Sequence, residues 1–575
     1  MWCPAFYAVN KMEIINLSTL TVLGNVQATQ PSLDNSPIAT TRNGSYKGIY
    51  LAQYNQDLFL GVPYAHPPIE TRRFRDPAHL TINWTGERPA TKYAFECIGY
   101  GGDQKGYLQS EDCLYLNVVR PHGFENEALP VLVWIHGGGF RQGGTVDRRY
   151  NLTFIVDNSV NISKPMMAVS IAYRLGPFGF FNGDDVAAEG ALNLGLKDQR
   201  LALHWIQENI SGFGGDPRKV TIYGQSAGSE SVGYHLRAFN GRDDDLFRAG
   251  IMESGPVIPQ GPLNLTASYQ SKYESIVAEA GCSQAEKKLD CLRALPFTVL
   301  NNVLNQTDYN TGWEPTVDGD FVARYPSQQV EDGSFVRVPI IAGTTTDEGS
   351  TQSPKPVNTT AELRSWMNTS SSYQLGLPDP LINTLLTLYP NTSTFGIPSS
   401  SELGGNVTFP QPYGAAFRQS AAYFTDQVFT ASRRRTCEAW AAHNVSAYCY
   451  RFNTKPATST WVEGVAHFSD VAFIFNNLEG YGYSPNPFDV GNLTESYILL
   501  SYLMAGSWAS FVADLDPNGW TGRGRNATRA DWPLYTVDRP LNIVWDANVT
   551  SYVEADDWRK EGIALINEVA LAYGR

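Results

Sequence analysis

The stretch Thr-Ile-Tyr-Gly-Gln-Ser-Ala-Gly-Ser-Glu-Ser-Val, Thr221 to Val232, sets Ser226 in the pattern Gly-x-Ser-x-Gly. Upstream, Arg218 to Tyr223 carries the β-favouring residues of a short strand, and Ala227 through His235 reads as the start of a helix. The serine thus sits on a strand-to-helix turn. So sharp a turn strains the serine backbone and needs glycine at 224 and 228, where a side chain would collide with the neighbouring strand or helix. The pentapeptide alone does not separate this reading from a plain glycine-serine turn.

In this setting the motif is the nucleophile elbow of an α/β hydrolase, with the Ser226 hydroxyl above the carboxyl edge of a large, mostly parallel sheet flanked by helices. A serine hydroxyl is a poor nucleophile at neutral pH and needs a base oriented by an acid. In this fold the partners follow in the order serine, acid, histidine. Of the eight histidines, His443 and His467 lie far enough downstream. His443 ends the helical stretch ASRRRTCEAWAAH and reads as a helix-terminal or surface residue, whereas His467 lies in EGVAHFSDVAFIF, a loop entering an apolar segment, and is the better base. For the acid, the strand Val338 to Gly343 runs into TTTDEGS, where Asp347 and Glu348 both serve chemically. Further upstream, the apolar strand Pro130 to Ile135 leads into His136-Gly-Gly-Gly. No Gly-Lys-Ser/Thr follows, so this is not a phosphate loop but an oxyanion loop whose amides turn toward a bound carbonyl.

The rest of the chain fits. With 575 residues, 42% of them hydrophobic, it buries a large core, and neither a long linker nor a repeat of fixed period divides it. A net charge of −14 and a pI near 5.1 argue against a nucleic-acid surface; the longest basic run, Arg433 to Arg435, reads as the solvated side of a helix. No apolar run reaches about 18 residues, so no transmembrane anchor is expected. Seven cysteines include three close couples, 97 with 113, 282 with 291 and 437 with 449, and leave Cys3 over. Sixteen Asn-x-Ser/Thr sequons run from Asn16 to Asn548, against roughly five by chance, which points to a glycosylated secretory protein with oxidised cysteines. The first 30 residues make a poor signal sequence, because Asn, Ser and Thr interrupt their apolar residues. Residues 1–35 are read as an N-terminal segment and 36–575 as a single α/β-hydrolase domain with helical and loop insertions.

Segments along most of the chain carry a family resemblance: FLGVPYAHPP (59–68), SEDCLYLNV (110–118), WIHGGGF (134–140), AYRLGPFGF (172–180), NLGLKDQRLALHWIQENISGFGGDP (193–217), GQSAG, DEG and WPLY (532–535). They resemble the type B carboxylesterase/lipase family, which includes cholinesterases, mammalian-type carboxylesterases, fungal lipases and the non-catalytic neuroligins. The resemblance implies Ser226 as nucleophile, Glu348 rather than Asp347 as acid, His467 as base, and an oxyanion hole from the N–H groups of Gly138, Gly139 and Ala227. It also implies disulfides Cys97–Cys113 and Cys282–Cys291; the pairing of Cys3, Cys437 and Cys449 stays open. No metal or organic cofactor is implied.

The departures narrow the function. Gln225 stands where many members have Glu before the serine, and Phe-Ser-Asp follows His467 in place of the frequent Gly-x-Glu. The loop between Cys97 and Cys113 has no tryptophan to hold choline, which argues against cholinesterase activity. Its 15 residues are also few for the mobile lid of an interfacial lipase. The expected activity is hydrolysis of small to medium soluble esters by a secreted monomer or homodimer. A triacylglycerol lipase, an acyl transferase and a non-catalytic adhesion protein are the rivals.

Overall fold

The run Leu129–Ile135 is apolar at almost every position, the signature of a strand covered on both faces. Val131, Val133 and Ile135 enter one hydrophobic cluster, while Leu132 and Trp134 enter another. Val220 and Ile222 divide from Tyr223 in the same way, and Ile340 and Ala342 from Ile341. Successive strand side chains point to opposite faces, so these sequences build one sheet between two cores.

The computed structural model describes residues 36–400, 403–405, 407–520, 522, 530–549 and 551–575; Cys3 and residues 1–35 lie outside the described residues. Pro37–Arg575 form one compact unit. Its central sheet has 11 strands in the order Tyr552–Ala555, Leu541–Trp545, Ala447–Phe452, Ile340–Thr345, Ala249–Glu253, Gly215–Gln225, Leu129–Ile135, Met167–Ile171, Tyr115–Pro121, Gln56–Pro63 and Ile49–Leu51. The strands from Leu541–Trp545 to Met167–Ile171 run parallel, and the edges are antiparallel.

Helices Leu194–Asn209 and Ala227–Gly241 cover one face, and helices Leu152–Asn161 and Thr494–Asp514 the other. A third cluster joins the inserted helices Thr360–Met367, Asp379–Leu388 and Phe417–Thr425 to Lys560–Glu568. The segment Gly491–Asp514 is long and apolar enough to cross a membrane, yet 72% of its apolar 18-residue stretch is buried inside the protein, where it serves as a core helix.

Three sequence readings change. The strand before Ser226 begins at Gly215, not Arg218, with an irregular register before Val220. The strand before the acids is shifted, Ile340–Thr345 in place of Val338 to Gly343. Arg433 and Arg434 are not solvated: both are buried and both reach Asp556, at 2.6 and 3.0 Å. The partner lies over a hundred residues away, so no local pattern reveals it. Cys437 bonds Cys449, tying the helix Ala431–Ala442 to the strand Ala447–Phe452 beside it.

Candidate active site

Five neighbouring strands deliver the site at their carboxyl ends. Leu129–Ile135 leads into His136 to Gly139, Gly215–Gln225 into Ser226, Ala249–Glu253 into Ser254 and Ile340–Thr345 into Glu348; Ala447–Phe452 leads by a longer loop to His467.

Ser226 has φ 56° and ψ −127°, a conformation that costs on the order of 1–3 kcal/mol and persists only where surrounding contacts impose it. Its N–H donates to the Glu253 carbonyl at 2.8 Å, and its carbonyl accepts from Glu230 N–H at 2.9 Å. A Cβ on Gly224 would lie 2.2 Å from the Gly228 carbonyl carbon, and one on Gly228 would lie 2.0 Å from the Ile135 oxygen. Both glycines let strand and helix close on the turn. Phe140, Ser254 and Phe468 also hold positive φ, so strain gathers around this site.

Glu348 is fully buried. Its Oε1 accepts from Ser254 Oγ at 2.5 Å and from Thr345 N–H at 2.7 Å, and its Oε2 lies 2.6 Å from His467 Nδ1. An ionised carboxylate only accepts, so Nδ1 carries the imidazole proton and Nε2 keeps its lone pair. Gln225 places its amide nitrogen 3.3 Å from that Nε2. Asp347 faces elsewhere: its Oδ2 accepts from Val465 N–H at 2.8 Å, and its own N–H donates to the Val465 carbonyl at 2.9 Å. The two adjacent acids thus divide the work, one on the imidazole and one on the loop that carries it.

Two further buried carboxyls lie close by: Asp470, the last residue of the Phe-Ser-Asp that follows His467, and Glu253, which the sequence reading did not single out. Burial first, then the Glu348 charge, pushes Asp470 up to about 6, and Tyr450 donates to its Oδ2 at 2.9 Å. Burial and Asp470 hold Glu253 well above the usual carboxylate range, with Trp508 Nε1 donating to it at 2.9 Å.

Gly138 and Gly139 adopt φ of 103° and 60° and line the same cavity of about 700 Å³ as Ser226 and His467. A Cβ on Gly138 would lie 2.2 Å from the Gln142 carbonyl oxygen, so this turn also excludes side chains. Burial pulls His136 down to about 4 and keeps it neutral; its Nδ1–H donates to the Gly137 carbonyl at 2.9 Å and its ring stacks on Tyr173. Ala227 opens the helix after Ser226, where first-turn N–H groups have no acceptor within the helix.

The loop closed by the Cys97–Cys113 disulfide reaches the cavity rim through Asp103. Its first half is pinned. Tyr100 N–H donates to the Arg141 carbonyl at 2.8 Å, Gln104 Oε1 accepts from Gly143 N–H at 2.8 Å, and Arg149 reaches Asp103 at 2.7 Å. Cys282–Cys291 closes the second short loop.

A family model described as "Carboxylesterase family" matches residues 35–552. The chain belongs to the carboxylesterase family. It is 34% identical over 546 residues to "Secreted lipase 1" of Botryotinia fuckeliana, covering 87% of this chain and 86% of that one. It is also 34% identical over 567 residues to "Lipase 5" of Diutina rugosa, covering 92% and 96%. Among solved structures it resembles Aspergillus niger EstA, with a TM-score of 0.79, 26% identity, and coverage of 95% of this chain and 100% of that one. This carboxylesterase-family protein is thus a serine carboxylic ester hydrolase on an α/β-hydrolase fold.

Proposed function

We propose that Ser226, His467 and Glu348 form a catalytic triad that hydrolyses small to medium soluble esters through an acyl-enzyme. The observation that carries this reading is the 2.6 Å contact from Glu348 to His467 Nδ1, with His467 sharing one cavity with the strained Ser226. Ser226 Oγ attacks the ester carbonyl carbon and its proton passes to His467 Nε2. The N–H groups of Gly138, Gly139 and Ala227 hold the oxyanion while Glu348 offsets the imidazolium charge. The tetrahedral intermediate expels the alcohol, which takes the proton from His467. Water, deprotonated by the same nitrogen, then releases the acid.

The pinned loop at the cavity rim favours soluble esters over an interfacial substrate, since a lid that opens must first break those contacts. The lipase reading draws on the names of the fungal relatives. The Botryotinia fuckeliana relative is named as secreted, and with the sequons this supports an extracellular glycoprotein. Asn83, Asn161, Asn305, Asn358 and Asn368 are among the exposed sequon residues, whereas Asn209 is buried and donates to the Trp205 carbonyl, which closes that site to a glycan.

The deciding experiment is a p-nitrophenyl ester series from acetate to palmitate, with Ser226→Ala and organophosphate-treated protein as controls. Turnover is expected to peak at short soluble esters and to fall by at least about 10,000-fold in Ser226→Ala, with the melting temperature nearly unchanged. Activation above the solubility limit of long esters gives the lipase reading instead. Turnover in Ser226→Ala within about tenfold of the unaltered protein removes the serine from the mechanism.

A further inference from the structure

The helix after the nucleophile repeats its face every three to four residues, so Glu230 and Tyr234, four and eight positions beyond Ser226, line the cavity with it. Gln260, Glu314, Gln352 and Tyr373 extend that wall from distant segments. Glu230 is 7% exposed, and its carboxyl accepts from the Gln260 backbone N–H. Burial first, then the Glu314 charge, pushes Glu230 up to about 8; burial pushes Glu314 up to about 7, against the pull of Lys272. Near neutral pH these two carboxyls offer both a proton to donate and oxygens that accept.

This wall suits neither an alkyl chain nor a cation. An alkyl chain would strip water from the carboxyls and amides and return no hydrogen bond. A cation would meet carboxyls that Arg237, Arg575 and Lys272 already face. Hydroxyl groups donate and accept in turn, and Tyr234 and Tyr373 add ring faces with a polar tip. We infer that the wall built on Glu230 and Glu314 recognises a polyhydroxylated part of the substrate, so the preferred substrates are esters of sugars, polyols or their acids. The inference rests on Ser226 being the nucleophile and adds the substrate class to that reading.

Two matched pairs test it on the intact protein: methyl 6-O-butyryl-glucoside against hexyl butyrate, and methyl gluconate against methyl hexanoate. At least one hydroxylated member is expected to show a kcat/KM higher by about tenfold or more, the worth of one or two hydrogen bonds. A preference in the first pair puts the wall on the alcohol side, and one in the second on the acyl side. In Glu230→Gln, which keeps the shape, and Glu314→Leu, the ratio within the preferred pair is expected to fall about tenfold through KM. Equal or reversed ratios in both pairs overturn the inference, as does a ratio unmoved by both substitutions. A greater preference for butyrylcholine overturns it in favour of a cation site. If wild-type protein hydrolyses p-nitrophenyl acetate while the ratios fail, the substrate class falls and the ester hydrolase stands; if p-nitrophenyl acetate is not hydrolysed, the reading of Ser226 falls first.

Discussion

Glu348 and Glu230 are both buried carboxyls, one behind His467 and one in the cavity wall, and they are held in opposite ways. Glu348 meets a hydroxyl, a backbone N–H and an imidazole N–H, all within 2.7 Å. Glu230 has the Gln260 N–H and the more diffuse attraction of Arg575 and Arg237, and burial wins over them, raising it to about 8. Burial opposes the charged form of Glu230, and too few close donors stand against it. A carboxylate that must hold a histidine tautomer through a catalytic cycle needs the first arrangement. One that meets a neutral polar ligand is served by the second.

The strongest way to break the comparison is to remove the charge where it is best supported. Glu348→Gln leaves the side-chain shape but presents an amide to His467 Nδ1, which favours the wrong tautomer; kcat is expected to drop roughly 1,000- to 10,000-fold. An equally deep loss in Asp347→Asn, measured beside it, would mean that the loop anchor and not the tautomer limits the rate. A smaller loss is expected in Ser254→Ala, which takes away one of the two donors on Glu348 Oε1. One such hydrogen bond to a charged group is worth about 1.5–3 kcal/mol, so kcat should fall by about ten- to a hundredfold, with KM little changed.

How far the sequence carried these assignments depends on how local each contact is. The elbow was legible because Gly224, Ser226 and Gly228 meet within one strand-turn-helix unit, and the strand from Pro130 to Ile135 was legible because an unbroken apolar run marks a strand covered on both faces. The choice between Asp347 and Glu348 was not legible from spacing. Neighbouring residues in a turn face different ways, and the decision falls to a loop that returns more than a hundred positions later to bring His467 to Glu348 and Val465 to Asp347. Arg433 misled for the same reason, since Asp556 comes from another element. The cavity wall mixes both cases: Glu230 and Tyr234 follow from helical spacing after Ser226, but Glu314 and Tyr373 arrive from distant segments whose path the sequence does not announce.

The raised carboxyls give the comparison a thermodynamic edge as well. A Glu whose folded pKa exceeds its unfolded value contributes stability that is complete below about 4.5 and is lost as pH rises toward the folded value. For Glu230 that window runs up to about 8, and for Glu314 to about 7. Glu230→Gln, which cannot ionise, is therefore expected to raise the melting temperature at pH 8 while leaving it nearly unchanged at pH 4.5. Glu314→Gln should act in the same direction but least of all, since Glu314 is more exposed than Glu230 and solvent screens part of its cost. Its gain should level off about one pH unit earlier than that of Glu230→Gln, following the lower folded value. Melting curves of the three proteins between pH 4.5 and 8.5 decide the matter. If Glu230→Gln loses stability at pH 8, then Arg237 and Arg575 outweigh burial, and Glu230 belongs with Glu348 as a held carboxylate.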